Sequence, residues 1–205
     1  MTVNEALKWA EERMTVFKVP DARAEAEFLL THLLACKRHE LFLNSRRILS
    51  DAEEEVFLGY VERKANREPS QYIVGEAEFF GLGFKVTKDT LIPRPETELL
   101  VEEALSASKA FSADGKLTVI DLCTGSGCVA ITVATELPEC MVYATDISNG
   151  ALAIARENAI RNNVDSRVNF LEGDLFGPLE GKGLEGKAQM VLSNPPYVPL
   201  TEREK

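Results

Sequence analysis

Leu117-Thr118-Val119-Ile120-Asp121-Leu122-Cys123-Thr124-Gly125-Ser126-Gly127-Cys128-Val129-Ala130-Ile131-Thr132-Val133-Ala134 decides the fold. A short apolar run ends in an acid, a loop with two glycines follows, and a second apolar run begins at once. This reads as strand, turn and helix. The glycines let the backbone come close to a ligand, and the helix N-terminus lies directly behind them. The loop is not Gly-x-Gly-x-x-Gly, because position 123 is Cys and position 130 is Ala. A dinucleotide pyrophosphate site is therefore disfavoured. The shorter Asp-x-Cys-x-Gly-x-Gly form suits a ligand without a pyrophosphate, and on this loop alone other small-ligand sites stay open.

Three further strand ends carry polar residues. Met141-Val142-Tyr143-Ala144-Thr145 runs into Asp146, about 20 residues beyond the glycines, where an acid accepts ribose hydroxyls in this kind of βαβ unit. Ser148 and a helical run over 150–162 come next, so a helix-capping role for Asp146 stands beside the ribose role. Arg167-Val168-Asn169-Phe170-Leu171 leads to Glu172-Gly173-Asp174-Leu175-Phe176. Asp174 could take the exocyclic amine of an adenine while Leu175 and Phe176 cover the ring; a turn Asp beside two core residues is the equal alternative.

The fourth strand end, after the apolar run Met190-Val191-Leu192-Ser193, is Asn194-Pro195-Pro196-Tyr197. A planar NH2 group has two protons to give and a delocalised lone pair. The Asn194 side-chain oxygen and the Pro195 carbonyl can accept both protons. The prolines fix φ and remove a competing donor, so the turn is stiff. Tyr197 can pack on the planar group. Such a site works by orientation and electrostatics rather than by a strong base. A proline-rich turn of no chemical consequence is the bland alternative.

Loop, acid, acid and amino trap occur in that order, each at the C-terminal end of an expected parallel strand, where open α/β sheets bind ligands. On these residues the chain resembles the class I S-adenosylmethionine-dependent methyltransferases. More narrowly, it is similar to the release factor glutamine methyltransferase family (HemK/PrmC type). Leu91-Ile92-Pro93-Arg94-Pro95-Glu96-Thr97-Glu98 and the helical region ahead of it carry the narrowing. The resemblance implies a cofactor site of Cys123, Thr124, Gly125, Ser126, Gly127, Asp146, Asp174, Leu175 and Asn194. It implies that Asn194, Pro195, Pro196 and Tyr197 present the acceptor, a glutamine in the Gly-Gly-Gln loop of a peptide chain release factor. Arg94 and Glu98 are expected to organise the substrate pocket, with Phe80 as an aromatic wall or a core residue. Asn-Pro-Pro-Tyr also serves enzymes that methylate exocyclic amino groups of nucleic-acid bases, so that acceptor class stays open.

The 205 residues suggest one or two domains. The expected organisation is a helical, substrate-gripping domain over 1–70, a β-hairpin linker over 71–90, and an S-adenosylmethionine-binding domain over 91–205. In the first part Val3, Ala6, Leu7, Ala10 and Met14 follow helical spacing. Asp21 can cap a helix whose apolar face includes Ala24, Phe28, Leu29, Leu33 and Leu34. Leu41, Phe42, Ile48 and Leu49 are core candidates, and Ser50 or Asp51 opens a helix with Val56, Phe57, Tyr60 and Val61 on one side. Tyr72–Gly75 and Glu78–Val86 read as the two arms of the hairpin. The Gly-rich stretch 177–187 reads as a mobile connection.

Net charge is −10, and eleven basic against thirteen acidic residues in 1–70 leave −8 for the rest. Phosphate neutralisation supplies much of nucleic-acid affinity, so this balance weakens direct nucleic-acid binding. Cys36, Cys123, Cys128 and Cys140 form no Cys-x-x-Cys pair. They read as free thiols of a cytoplasmic protein with no metal site. No membrane span or signal peptide is expected. The chain stops at Lys205, eight residues after Tyr197. By resemblance the sheet should hold seven strands in the order 3-2-1-4-5-7-6, so a sheet truncated after strand four is expected, with an open edge there.

Overall fold

Two of the N-terminal helices begin where a hydroxyl side chain meets an orphan N–H group. Thr2 caps α1 (Val3–Val16) by accepting from Glu5 N, and the Glu5 carboxylate reaches back to Thr2 N. Ser50 and Glu53 close the same reciprocal box on α4 (Asp51–Ala65). Between them lie α2 (Ala22–Leu33) and α3 (Arg38–Leu43), and α5 (Ser70–Val74) follows. The computed structural model describes residues 1–111 and 117–196, and the chain divides between Gly75 and Glu76 into two units.

Val3, Ala6, Leu7, Ala10 and Met14 are all buried, with Leu29, Leu30, Leu41, Leu49, Phe57 and Val61. Five core expectations fail: Ala24, Phe28, Phe42, Ile48 and Val56 are exposed. The buried stripe of α2 is set by Ala26, Leu29 and Leu30, which turns Ala24 and Phe28 outward. Asp21 stands at the N-cap of α2 but makes no capping bond, because its φ of 50° is left-handed rather than extended. Tyr72-Ile73-Val74, expected as a strand, belongs to α5. Pro69 starts that short helix, and Gly75, at φ 77°, stops it.

The hairpin is shorter than expected and belongs to the second unit: β1 (Glu76–Phe79) pairs antiparallel with β2 (Leu82–Lys85). Phe80 and Gly81, both at positive φ, form its two-residue turn. A 3₁₀ turn at Pro95–Thr97 then leads into α6 (Glu98–Ser108).

Four parallel strands follow: β3 (Leu117–Leu122), β4 (Cys140–Asp146), β5 (Val168–Glu172) and β6 (Met190–Ser193). They lie in the order β5-β4-β3-β6, so the third, second, first and fourth strands are neighbours as the resemblance implied. Period-two alternation places Val119, Val142, Ala144, Val168, Met190 and Leu192 on one face. They pack against α6, α7 (Cys128–Glu136) and α8 (Asn149–Arg161). The other face carries a smaller cluster of Ile120, Leu122 and Leu179. Leu179 sits in a 3₁₀ turn and is buried, and Leu184 packs against the same cluster, so the Gly-rich stretch 177–187 is anchored rather than wholly loose. At the β6 edge, Val191 is exposed.

Gly127 fixes how closely α7 and α8 approach. Its φ is +81°, and a Cβ there would stand 2.8 Å from Ile131 Cδ1 and 3.1 Å from Ala155 Cβ. Ile131 can turn its terminal methyl away; Ala155 is held by its helix. Gly127→Ala should therefore cost about 2–3 kcal/mol in urea unfolding, the sum of a left-handed backbone and overpacking. Gly125→Ala, with nothing within 4 Å of the added carbon, should cost only the backbone part, and equal losses would remove the packing argument.

Candidate active site

The register of the sheet lines up the functional strand ends. Leu122 of β3 pairs with Thr145 of β4 and with Ser193 of β6. The residues that come next are Cys123, Asp146 and Asn194, so three expected site residues leave the sheet along one carboxyl edge.

The Cys123–Gly127 loop is tied down at nearly every residue. Thr124 N donates to Thr145 O at 3.0 Å and Gly127 N to Thr124 O at 2.9 Å. The Thr124 hydroxyl donates to Asp121 Oδ2 at 2.6 Å, and Gly125 N donates to Asp146 Oδ2 at 2.8 Å. Cys123 holds a left-handed φ of 60°, a strained choice for a residue with a side chain. Gly125 borders open space, so the loop presents bare backbone to whatever fills it.

Asp146 keeps capacity for a ligand. Ser148 N donates to its Oδ1 at 3.0 Å, and Ser148 itself caps α8 by accepting from Ala151 N at 3.1 Å. The cap is thus Ser148, and the Asp146 carboxylate still has lone pairs free beyond its two backbone donors. Beside it, the buried Thr145 hydroxyl donates to Leu175 O at 2.9 Å. That bond accompanies a left-handed φ of 45° at Leu175. Ile147, Leu175 and Phe176 are 72%, 46% and 50% exposed, an apolar group around the same strand ends. Asp174 is exposed next to them.

The field here is negative. Burial pushes the Asp121 carboxyl up to about 7, against hydrogen bonds from Thr124 and Ala130, and Asp146 raises it further. The Cys123 thiol is pushed up by burial and then by Asp146, Asp121 and Asp174, against a hydrogen bond with Ser193. Burial holds Cys128 near about 12 and Cys140 near about 11, so both stay thiols at neutral pH. All four cysteines are free.

The raised Asp121 sets a sign for stability. Its folded value, about 7, lies above its ordinary 3.8. Its proton-linked stability is therefore full below that ordinary value and lost as pH rises through about 7. Thermal unfolding of the wild type should weaken between pH 5 and pH 8, and Asp121→Asn should flatten that slope; an unchanged slope would show that Asp121 is ionised throughout.

On the acceptor side, Asn194 Nδ2 donates to Thr97 Oγ1 at 3.1 Å. This assigns the two ends of the Asn194 amide: the nitrogen is held, and Oδ1 is left to accept. Thr97 is buried at the head of α6 and makes no capping bond there. The Ser193 hydroxyl donates to Leu122 O at 3.1 Å and joins β6 to the start of the loop.

Two family models match the chain. Residues 5–75 match the PrmC N-terminal domain, and residues 96–204 match the methyltransferase small domain. The release factor glutamine methyltransferase of Chlorobaculum tepidum is 42% identical over 188 residues, covering 90% of this chain and 64% of that protein. The protein of the same name from Geobacter sulfurreducens is 39% identical over 203 residues, covering 99% of this chain and 68% of that one. This chain belongs to the release factor glutamine methyltransferase family. It spans about two thirds of the length of those relatives, 64% and 68%. A solved SAM-dependent methyltransferase from Agrobacterium tumefaciens is similar at 20% identity with a TM-score of 0.48, covering 59% of this chain and 39% of that one.

In this family member the expected site residues divide into three groups. Cys123 to Gly127, Asp146, Asp174 and Leu175 gather around the β3, β4 and β5 ends. Asn194, Pro195 and Pro196 lie at the β6 end, the prolines exposed; Tyr197 falls outside the described residues. Among the described residues, the third group makes no hydrogen bond to Asn194. Glu98 Oε1 accepts from Phe80 N at 2.8 Å and so steadies the strained hairpin turn, where Phe80 has φ 52°. Phe80 packs partly buried against the sheet's larger core. Arg94 is exposed and makes no side-chain hydrogen bond among the described residues. Sequence reasoning missed Thr97. Its only signal was a hydroxyl inside the Pro93–Glu98 stretch.

Proposed function

We propose that this chain binds S-adenosylmethionine at the carboxyl edge of its sheet and serves the N-methylation of a release factor glutamine, in the Gly-Gly-Gln loop. The Asn194–Thr97 bond carries the reading, because it leaves one oriented acceptor at the β6 end, beside the loop. The residues fit the cofactor. Backbone at Gly125 opens on free space, Asp146 has lone pairs for ribose hydroxyls, and Ile147, Leu175 and Phe176 offer apolar cover to an adenine beside Asp174. The carboxylates of Asp146 and Asp174 suit a ligand that carries positive charge.

When bound, the cofactor supplies an electrophilic methyl on a sulfonium. The chain's own contribution is to hold the acceptor. Asn194 Oδ1 and the Pro195 carbonyl would accept the two amide protons and leave the nitrogen lone pair for the methyl. With the acceptor held in this way, one amide proton would pass to solvent once the nitrogen carries the extra methyl. An amide nitrogen is too weakly basic to be deprotonated first, so no general base is needed.

The PrmC N-terminal domain match over 5–75 supports a substrate-gripping role for the helical unit. Residues 91–205 serve as the cofactor domain in this reading, with the 71–90 segment ahead of it. Among the described residues no helix is long and apolar enough to cross a membrane. The free thiols support a cytoplasmic setting. The test is tandem mass spectrometry of a bacterial release factor incubated with S-adenosylmethionine and the protein expressed from its complete reading frame. A single methyl on the Gly-Gly-Gln glutamine is the expected product. Cofactor binding with no such product, and methyl appearing on a nucleic-acid amino group instead, would overturn the substrate.

A further inference from the structure

Asn158 lies in the interior of α8, wholly buried, and spends its amide on backbone from two other segments. Its Oδ1 accepts from Lys85 N at 2.7 Å. Its Nδ2 donates to Lys85 O at 3.0 Å and to Ser126 O at 2.9 Å. Lys85 ends β2 of the hairpin; Ser126 stands in the loop between β3 and α7. Asn is a poor helix-interior residue, and its α8 neighbours Leu152, Ala155 and Ala159 are apolar and fully buried. Packing alone would be served by another apolar side chain. A buried amide with both donors and an acceptor engaged is retained at a desolvation cost that only its partners offset.

The bonds on either side extend the connection. At the loop end, the peptide whose carbonyl Asn158 holds has its N–H, that of Gly127, on Thr124 O. At the hairpin end, β2 pairs with β1, and the turn between them is held at Phe80 N by Glu98. Glu98 follows Thr97, which orients Asn194. A path of hydrogen bonds and short stretches of backbone thus joins the loop to the acceptor residue through Asn158, the hairpin and the head of α6.

We propose that Asn158 is a positioning residue that couples order in the cofactor loop to order in the hairpin, and through it to the acceptor side. This rests on the S-adenosylmethionine reading of the loop. By linkage, a cofactor that binds the ordered loop must also steady the hairpin, and loss of the hairpin tie must weaken the cofactor to the same extent. The neighbouring Asn162 provides a control. It donates to Gly83 O at 3.3 Å and to Asn158 O at 2.9 Å, so it anchors the hairpin to α8 without touching the loop.

The experiment is amide hydrogen exchange of the wild type with and without saturating S-adenosylmethionine, joined to calorimetry on Asn158→Ala and Asn162→Ala. Expected is slower exchange of the hairpin amides, Lys85 included, when the cofactor is bound. Asn158→Ala should bind the cofactor about tenfold more weakly, the scale of one buried hydrogen bond, and lose the cofactor-dependent protection. Asn162→Ala should keep its affinity within about twofold. Hairpin exchange that is identical with and without cofactor in the wild type overturns the coupling, whether or not Asn158→Ala folds. Equal weakening by the two variants also overturns it, because a merely structural anchor would act that way. Failure of the wild type to bind the cofactor at all overturns the underlying site instead.

Discussion

Asn194→Ala should lower methyl transfer by about 100-fold or more, the scale of losing one preorganised hydrogen-bonding group where the reacting atom is held. The side chain is only half buried, so its truncation opens no large cavity and the fold should persist. The bond to Thr97 adds a second, smaller expectation. Thr97→Val removes the oxygen that receives Nδ2, and the Asn194 amide is then free to turn its nitrogen toward the acceptor. Turnover should fall by about tenfold, the value of one hydrogen bond, while Thr97→Ser keeps the oxygen and most of the rate. The measurement is initial rate on a release factor with cofactor saturating, beside circular dichroism. Full turnover by folded Asn194→Ala would remove the β6 end from the chemistry.

Asp146→Ala should weaken S-adenosylmethionine binding by about 100-fold. The carboxylate does two jobs at once. Its Oδ2 accepts from Gly125 N and so holds the loop, and in the proposed cofactor site its remaining lone pairs would accept from the ribose hydroxyls. Bonds to an ionised acceptor are worth about 1.5–3 kcal/mol each, and the substitution removes more than one. Calorimetry with S-adenosylhomocysteine measures the loss without requiring turnover. Asp146→Asn separates the jobs: it can still accept from Gly125 N but brings no charge, and should lose about tenfold. A change below about threefold for Asp146→Ala would place the ribose elsewhere.

Much of this site was legible because parallel strands place their ends together. The apolar runs at 117–121 and 141–145, each closing on an acid, predicted both strands, and the sheet order agrees. The Gly-containing loop and the Asn-Pro-Pro turn carry their geometry in their own backbone preferences. Ser50 likewise caps its helix through Glu53, three positions away. Where the sequence misled, either the flanking residues or the packing had overridden what side-chain composition suggested. Tyr72-Ile73-Val74 looks like a strand by composition, but Pro69 and Gly75 bound it as a single helical turn. Phe28, Phe42 and Ile48 are apolar yet exposed, because burial depends on which helix face meets a neighbour.

The sequence by itself determined most of the element types and the strand ends that carry polar groups, which follow from spacing and backbone preference over a few residues, and its motifs together carried the resemblance to the family. Only the tertiary structure showed that Thr97, 97 positions before Asn194, holds its amide, and that Asn158 joins Lys85 to Ser126 across 73 and 32 positions. It also showed that Ser148, not Asp146, caps α8, and that Glu98 holds the hairpin turn. A hydroxyl or an amide has the same local propensity whether its partner is water or a distant backbone group, so its role becomes visible only when the packed sheet and helices bring that partner within 3 Å or so.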